Sequence, residues 1–195
     1  MLRQIFVIFL AFSHLYQTRA SIYGFSFGSS CSQVPVISDF DISRYLGTWY
    51  EIERIPMFFE RGLNCVTANY DLLSDSKISV KNSGIMKNGK STSVIGEAHA
   101  PNADEEPNKL YVDFRNIGKH SDRKNAANYH VWLTDYDNYS LVYSCDIILG
   151  FIKFEAAWIL SRSKELDEAK IEHLKRLLNS SGVDQTKLER VSQNC

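Results

Sequence analysis

Eight short runs of β-prone residues follow one another between residues 48 and 161, and turn residues separate each run from the next. The pair Asn88-Gly89, a strong hairpin signal, lies between the third run and the fourth. Eight strands joined mostly by short loops favour an antiparallel meander, and eight is a number of strands that closes into a small barrel. The predicted strands are 48–55, 65–72, 77–85, 91–99, 109–115, 127–134, 139–144 and 154–161.

One helix is predicted after the strands, over residues 167–179. Asp167 is a suitable N-cap, and apolar residues recur behind it at helical spacing, at Ile171, Leu174, Leu177 and Leu178. We expect this apolar stripe to lie against the barrel. The sequence therefore predicts an all-β fold, an eight-stranded antiparallel up-and-down barrel over about 47–162 with one C-terminal α-helix packed on its wall.

The first twenty residues have the pattern of a secretory signal peptide. Arg3 precedes an apolar run over residues 5–12, and Ala20 ends a segment with small residues at the positions that signal peptidase requires. A membrane anchor is the less favoured alternative, because the run is too short to span a bilayer. We expect cleavage after Ala20, a secreted extracellular protein and a single domain over residues 21–195.

The charge balance of the chain argues against nucleic acid as a partner. The 195 residues include 22 Lys and Arg against 23 Asp and Glu, for a formal net charge of −1. Nucleic-acid affinity depends largely on an excess of basic residues, and this chain has none.

Alternating strand direction places the loops 56–64, 86–90, 116–126 and 145–153 at one end of the predicted barrel. The first and last of these loops are unusually apolar. We expect them to form a rim that contacts a membrane or lipoprotein surface. The rim residues are Met57, Phe58, Phe59, Ile148 and Phe151.

Three local patterns meet at the opposite end. Gly47-Thr48-Trp49 opens the first strand behind a short helical turn, Thr134-Asp135-Tyr136 ends the sixth strand, and Arg162 follows the eighth. In this order, with eight strands between them and a helix after them, they resemble the three signature regions of the lipocalin family. The resemblance covers residues 31–195. It implies a barrel that holds a small hydrophobic ligand such as a fatty acid or sterol, with no cofactor and no catalytic metal.

The signature residues are expected to stabilise the closed end. A Trp49 side chain there buries a large apolar area, and Arg162 across its face adds a cation–π contact while donating to backbone carbonyls. We interpret both residues as structural and not as ligand contacts.

Strand alternation gives the first candidates for ligand binding. Because Arg162 points to the closed end, Trp158 and Phe154 on the same face of the last strand should point inward. The resemblance implies the same for Trp158 and adds Tyr70 and Asn82, the latter as a polar group that orients a ligand. Trp132 is a further candidate, although the sequence does not show which residues of its strand point inward. Ordinary core filling is the alternative for each aromatic residue.

The same alternation raises a difficulty in the first strand. If Trp49 points inward, Glu51 and Glu53 share its face, where unpaired carboxylates are costly. Two solutions are open: the strand changes phase, or the carboxylates pair with Arg162 or another donor near the closed end.

The four cysteines allow three disulfide pairings. Cys65 begins the second predicted strand and Cys145 follows the seventh, so both lie at the open end, and we expect each to hold a terminal arm. The resemblance implies the pairs Cys31–Cys145 and Cys65–Cys195.

Other patterns carry less weight. Gly24-Phe25-Ser26-Phe27-Gly28 matches a serine-hydrolase pattern without the strand and helix that give it meaning, so we expect no enzyme. The histidines show no metal-ligand spacing. Asn138 and Asn179 begin glycosylation acceptor sequences.

Two alternatives to a lipid carrier stay open. A bilin-binding pigment protein has the same fold, since the segment from Leu160 to Lys164 resembles one in insect pigment lipocalins. A barrel enzyme, an isomerase or hydrolase, belongs to a different functional class.

Overall fold

The structure is a computed structural model that describes residues 24–114 and 126–195. The predicted signal peptide and most of the predicted loop 116–126 lie outside these ranges. Ten strands form one antiparallel sheet in the described residues. They are β1 (Phe25–Phe27), β2 (Gly47–Arg54), β3 (Asn64–Ser74), β4 (Lys77–Ile85), β5 (Ser91–His99), β6 (Lys109–Asp113), β7 (Tyr129–Thr134), β8 (Tyr139–Ile148), β9 (Ile152–Ser161) and β10 (Glu189–Arg190).

The eight strands β2 to β9 form a closed barrel. Each pairs with its neighbour in sequence, and β2 also pairs with β9, so that Tyr50 lies opposite Ser161 and Arg54 opposite Trp158. The predicted eight-stranded antiparallel barrel is confirmed. Because the strands alternate in direction, the β2–β3, β4–β5 and β8–β9 connections lie at one end, which we call the mouth.

The two short strands at the ends of the chain extend the barrel edges near the mouth. β1 pairs with the start of β9, with Phe25 opposite Phe154, and β10 pairs with the end of β2, with Glu189 opposite Arg54. Neither strand was predicted from the sequence.

Two helices and two 3₁₀ turns complete the described elements. Helix α1 (Ile42–Tyr45) begins behind Asp41, whose side chain accepts a hydrogen bond from the Ser43 amide. Helix α2 (Glu168–Ser180) begins behind Asp167, which accepts from the Lys170 amide as predicted. The 3₁₀ turns are Phe58–Glu60 and Gln185–Lys187.

Two apolar clusters stabilise the fold. One fills the closed half of the barrel interior around Trp49 and Tyr45. The other lies between the outer wall and α2, where Ile171, Leu174 and Leu178 are fully buried. The predicted packing of the helix on the wall is therefore present. No helix among the described residues is long and apolar enough to cross a membrane.

A β-bulge in β2 resolves the difficulty of the two glutamates. The pairing with β9 shifts register between Glu51 and Glu53, because Ile52 is an extra residue on that strand. Glu51 keeps the inward phase of Trp49, whereas Glu53 faces outward and forms ion pairs with Lys175 and Arg190.

The two disulfides implied by the resemblance are formed. Cys31 is bonded to Cys145 on β8, and Cys65 on β3 is bonded to Cys195. The paired cysteines are 114 and 130 residues apart in the sequence. Each disulfide therefore holds a terminal arm against the mouth half of the barrel.

Candidate functional site

The closed end of the barrel is built around Trp49 and Arg162. The Arg162 guanidinium carbon lies 3.8 Å from the centre of the Trp49 ring. Its three nitrogens donate to the backbone carbonyls of Tyr136 at 2.9 Å, Thr48 at 3.1 Å and Arg44 at 2.9 Å. One side chain thus joins α1, β2 and the β7–β8 turn, as a structural role requires.

The signature residues around this pair shape the backbone. Gly47 has a φ of +90°, which a residue with a side chain rarely adopts, and the Arg162 side chain passes close beside it. In the β7–β8 turn, Thr134 Oγ1 accepts from the Tyr136 amide and donates to the Tyr139 carbonyl. The Asp135 carboxylate accepts from the amides of Asn138 and Tyr139. These contacts present the Tyr136 carbonyl to Arg162.

Three tyrosines form the floor above the Trp49 plug. The Tyr129 hydroxyl is 2.7 Å from that of Tyr70 and 3.3 Å from that of Tyr45, which is also 2.9 Å from Ser140 Oγ. Burial raises the pKa of Tyr45 to about 12 and the pKa values of Tyr70 and Tyr129 well above the usual value of tyrosine. All three hydroxyls therefore stay protonated, and their dipoles satisfy one another instead of requiring a ligand.

Between this floor and the mouth lies a cavity of about 270 Å³. Four of the five predicted ligand-binding residues line it: Trp158, Tyr70, Asn82 and Phe154. The inward phase predicted for β9 is correct, because Leu160 also lines the cavity whereas Ala157 and Ile159 face the helix. The cavity wall is mostly apolar, which suits a hydrophobic occupant.

The prediction for Trp132 is wrong. Trp132 is buried in the cluster between the barrel wall and α2, where its ring meets Tyr143 edge-on at 5.3 Å. Because Val131 points inward, Trp132 next to it points outward, and the bulge between Val131 and Leu133 leaves both Trp132 and Leu133 on the outer face of β7.

A group of ionisable residues lies next to Trp158, and its two glutamates line the cavity. Arg54 Nη1 donates to Glu51 Oε2 at 2.9 Å, and Arg54 Nη2 donates to the backbone carbonyls of Glu60 at 2.7 Å and Leu63 at 3.1 Å. The Trp158 indole N–H donates to Glu60 Oε1 at 3.2 Å. Glu51, Arg54 and Glu60 are each no more than 5% exposed. The partner of Glu51 is therefore Arg54 on the same strand, and not Arg162.

Burial dominates the titration of this group. It raises the pKa of Glu51 to about 8, with repulsion from Glu60 adding to the shift and the Arg54 contact only partly offsetting it. Burial also raises the pKa of Glu60, against the opposing effects of Arg54 and the hydrogen bonds from Met57 and Trp158. Near neutral pH the pair therefore retains a proton.

Several cavity residues were missed from the sequence. Tyr129 and Val131 lie before the bulge on β7, and both point into the barrel. Strict alternation along the whole strand does not show this, because the bulge changes the phase between the two halves of the strand. Met57, Phe59 and Glu60 come from a 3₁₀ turn that folds over the cavity, and no strand periodicity points to them.

Other candidate chemistry has no counterpart at the cavity. Ser26 lies in the edge strand β1 opposite Lys153, which is not the strand–turn–helix context of a hydrolase nucleophile. Within residues 24–114 and 126–195, no group of three His, Cys, Asp or Glu side chains is arranged to hold a metal ion.

Comparison with known proteins assigns the family. A sequence profile described as "Lipocalin-like domain" matches residues 40–193, which is most of the chain. The chain belongs to the lipocalin family. This lipocalin is 40% identical to apolipoprotein D of Cavia porcellus over 172 residues, which are 88% of this chain and 86% of that protein.

Solved lipocalin structures agree with the fold. Insecticyanin from the tobacco hornworm Manduca sexta superposes with a TM-score of 0.70 at 31% identity, covering 86% of this chain and 88% of that one. Lobster apocrustacyanin A1 superposes with a TM-score of 0.72 at 22% identity, covering 87% and 91%. The second likeness bears on the fold alone. The lipocalin barrel is a carrier fold for hydrophobic ligands, and lipocalins are in general binding and transport proteins.

Proposed function

We propose that this lipocalin is a secreted carrier of one small hydrophobic molecule of the lipid class, such as a sterol or a fatty acid. The observation that carries the proposal is the largely apolar cavity lined by Trp158, Tyr70, Phe154 and Leu160. Each methylene transferred from water into such a site contributes about 0.8 kcal/mol. At about 270 Å³ the cavity lies near the lower end of small-molecule sites, which span roughly 300–1,000 Å³, so the ligand is small.

Native mass spectrometry tests the carrier proposal. The full chain is expressed in secreting eukaryotic cells, and the protein is collected from the medium and also offered a sterol and a fatty acid separately. We expect a complex heavier by one small molecule that disappears after organic extraction. A protein that carries nothing from the cells and takes up neither compound contradicts the proposal.

The same expression tests two expectations about processing. We propose cleavage after Ala20 and glycans on Asn138 and Asn179, whose side chains are exposed in the β7–β8 turn and in the last turn of α2. The secreted protein should begin at Ser21, and enzymatic removal of N-glycans should lower its mass. The variants Asn138→Gln and Asn179→Gln should each lose one glycan. A secreted protein without a mass change contradicts the glycan proposal.

We further propose that the mouth contacts a lipid surface. Phe58, Leu149 and Phe151 are respectively 65%, 78% and 53% exposed. Phe27 on β1 lies beside them, because the amide of the next residue, Gly28, donates to the Phe151 carbonyl. Exposed lysines on the neighbouring β4–β5 turn, Lys87 and Lys90, suit anionic headgroups. Two of the predicted rim residues, Met57 and Phe59, are half-buried and line the cavity. Ile148 is exposed, as Phe58 and Phe151 are.

Vesicle co-sedimentation tests this contact. The triple variant Phe58→Ser, Leu149→Ser, Phe151→Ser should bind phosphatidylserine-containing vesicles several-fold less than the unmodified protein, while its ligand affinity stays unchanged. A matched control changes exposed apolar residues at the closed end, Leu72→Ser and Leu73→Ser, and should bind like the unmodified protein. Equal sedimentation of the triple variant and the unmodified protein contradicts lipid contact through the mouth.

A bilin-binding pigment function is the second candidate, supported by the likeness to insecticyanin. The segment from Leu160 to Lys164 gives no further support for a bilin site. Its Arg162 packs on Trp49 at the closed end, and its Ser163 donates to the Glu165 carbonyl. Visible absorbance of protein purified from its natural source decides between the two candidates. A colourless protein favours the lipid carrier over the bilin-binding protein.

A further inference from the structure

A second, smaller recess of about 120 Å³ lies beside the main cavity, under the β2–β3 connection. Four residues border both spaces: Phe59, Glu60, Asn82 and Phe114. In the described part of the chain, residues of β5 border only the recess, whereas residues of β7, β8 and β9 border only the main cavity. The recess therefore branches sideways toward β5, and a straight chain that lies along the main cavity leaves it unfilled.

Two glycines on neighbouring strands account for this space. A Cβ atom added to Gly84 on β4 would lie 3.3 Å from Val66 Cγ2 and 3.4 Å from the Leu63 side chain. A larger side chain at this position would therefore occupy the recess. A Cβ atom added to Gly96 on β5 would lie 2.7 Å from Phe114 Cδ1, so the glycine lets the Phe114 ring lie against β5, between the two spaces.

The roof of the recess is held from inside the barrel. The backbone carbonyls of Leu63 and Glu60, two residues of the roof, accept hydrogen bonds from Arg54 Nη2 at 3.1 and 2.7 Å. The walls are mostly apolar, with Val66 on β3 and Val94 on β5 among the lining residues. A preformed apolar space suits a hydrocarbon group, because little has to be reorganised when the group enters.

We propose that the recess is a second ligand subsite, which takes the short hydrocarbon arm of a branched lipid whose longer arm fills the main cavity. The proposal rests on the carrier function proposed above and adds the shape of the ligand to it. A branched ligand that fills both spaces removes more apolar surface from water than a straight chain of the same composition. Its branch point and polar group then lie beside Asn82 and Glu60, the polar residues that border both spaces.

Two isomeric alcohols test the proposal. The compounds 2-butyl-1-octanol and 1-dodecanol have the same composition and the same uncharged polar group, and only the first is branched. Isothermal titration of the intact, delipidated protein should give a dissociation constant lower by about fivefold or more for the branched alcohol. Equal binding of the two, or tighter binding of the linear alcohol, overturns the proposal and leaves the carrier function standing. Binding of neither alcohol also overturns the proposal, and native mass spectrometry with a sterol and a fatty acid then decides the carrier function.

Variants on β5 assign the preference to the recess. Val94 lies opposite Asn82 and borders only the recess, so Val94→Phe should fill it and weaken binding of the branched alcohol. Binding of the linear alcohol should stay unchanged, and the ratio should fall below about twofold. The control Ile95→Phe changes the next residue, which is 62% exposed, and should keep the ratio of the unmodified protein.

A Val94→Phe protein that folds with an unchanged ratio overturns the role of the recess. Gly84→Val fills the same space from β4 and provides a second variant with the same expected result. The comparison of the two alcohols on the unmodified protein needs no variant, so it decides the preference for a branched ligand even if both variants fail to fold.

Discussion

At the scale of single residues, Arg162 shows how one side chain closes an end of the barrel. Its guanidinium donates to three carbonyls that belong to three separate segments and also covers the face of Trp49. The planar fork of arginine suits this task, because several donors leave one rigid group in different directions. Lysine has the same charge but cannot reach three carbonyls in this geometry.

We predict that Arg162→Met lowers the free energy of unfolding by about 2–4 kcal/mol, because three hydrogen bonds and a cation–π contact are lost together. Arg162→Lys should recover only a minor part of the loss. Urea denaturation followed by circular dichroism measures both. The control Arg176→Met on the exposed face of α2 should stay within about 0.5 kcal/mol of the unmodified protein. A loss for Arg162→Met no larger than that of the control contradicts the account.

Glu51 predicts a pH dependence of stability. In the unfolded chain its carboxyl ionises near pH 4.5, whereas burial holds the folded pKa at about 8. Between these values the folded state binds a proton that the unfolded state has released. The stabilising effect of this proton is fully present below about pH 4.5 and is lost as the pH rises through about 8.

We therefore expect the urea midpoint of the unmodified protein to fall between about pH 5 and about pH 8, and that of Glu51→Gln to fall less. The exposed-site variant Glu172→Gln should follow the unmodified protein. If Glu51→Gln and the unmodified protein change in parallel over this range, the buried carboxyl does not retain its proton and the assignment is wrong.

At the scale of elements, strands were predicted best where pairing is regular. The predicted bounds of β4 and β5 agree with the structure, because an Asn-Gly turn fixes their register and no bulge interrupts it. β8 and β9 are longer than predicted, since their apolar ends pair with each other up to a turn at 149–151. The two arm strands, β1 and β10, are too short to have a period and form only because barrel edges are available.

Bulges explain why alternation failed at some positions. One extra residue in β2 and one in β7 reverse the inward–outward phase of the later residues in each strand, and a bulge has no signal in a single sequence. The inward residues of β9 needed no such correction, because Arg162 fixes the phase of that strand. Of the four predicted residues that line the cavity, Trp158 and Phe154 follow from this alternation, whereas Tyr70 and Asn82 were implied by the family resemblance.

The helix α2 stabilises the barrel from outside and does not contact the cavity. Leu174 is fully buried between α2 and the wall. We predict that Leu174→Ala costs about 2–5 kcal/mol of unfolding free energy and leaves ligand affinity unchanged. The control Leu73→Ala, at an exposed site on β3, should cost little. A change in ligand affinity larger than twofold at a concentration where Leu174→Ala is fully folded contradicts the separation of the two clusters.

At the scale of the whole molecule, the two ends of the barrel have different tasks. At the closed end, Arg162 joins α1 and the β7–β8 turn and covers the ring of Trp49. The other end combines the cavity, the ionisable group beside Trp158 and the exposed apolar rim. The disulfides hold the terminal arms at this half.

The claim that a ligand occupies the barrel interior is tested most directly by filling that interior. Ser144 lines the cavity on β8, so Ser144→Trp should occupy the space, whereas Ser79→Trp places the same side chain on the outer face of β4. In isothermal titration with palmitic acid, the unmodified protein and Ser79→Trp should each bind one ligand with the same affinity. Ser144→Trp should bind at least tenfold more weakly. Equal binding by all three proteins would place the ligand outside the barrel and contradict the account.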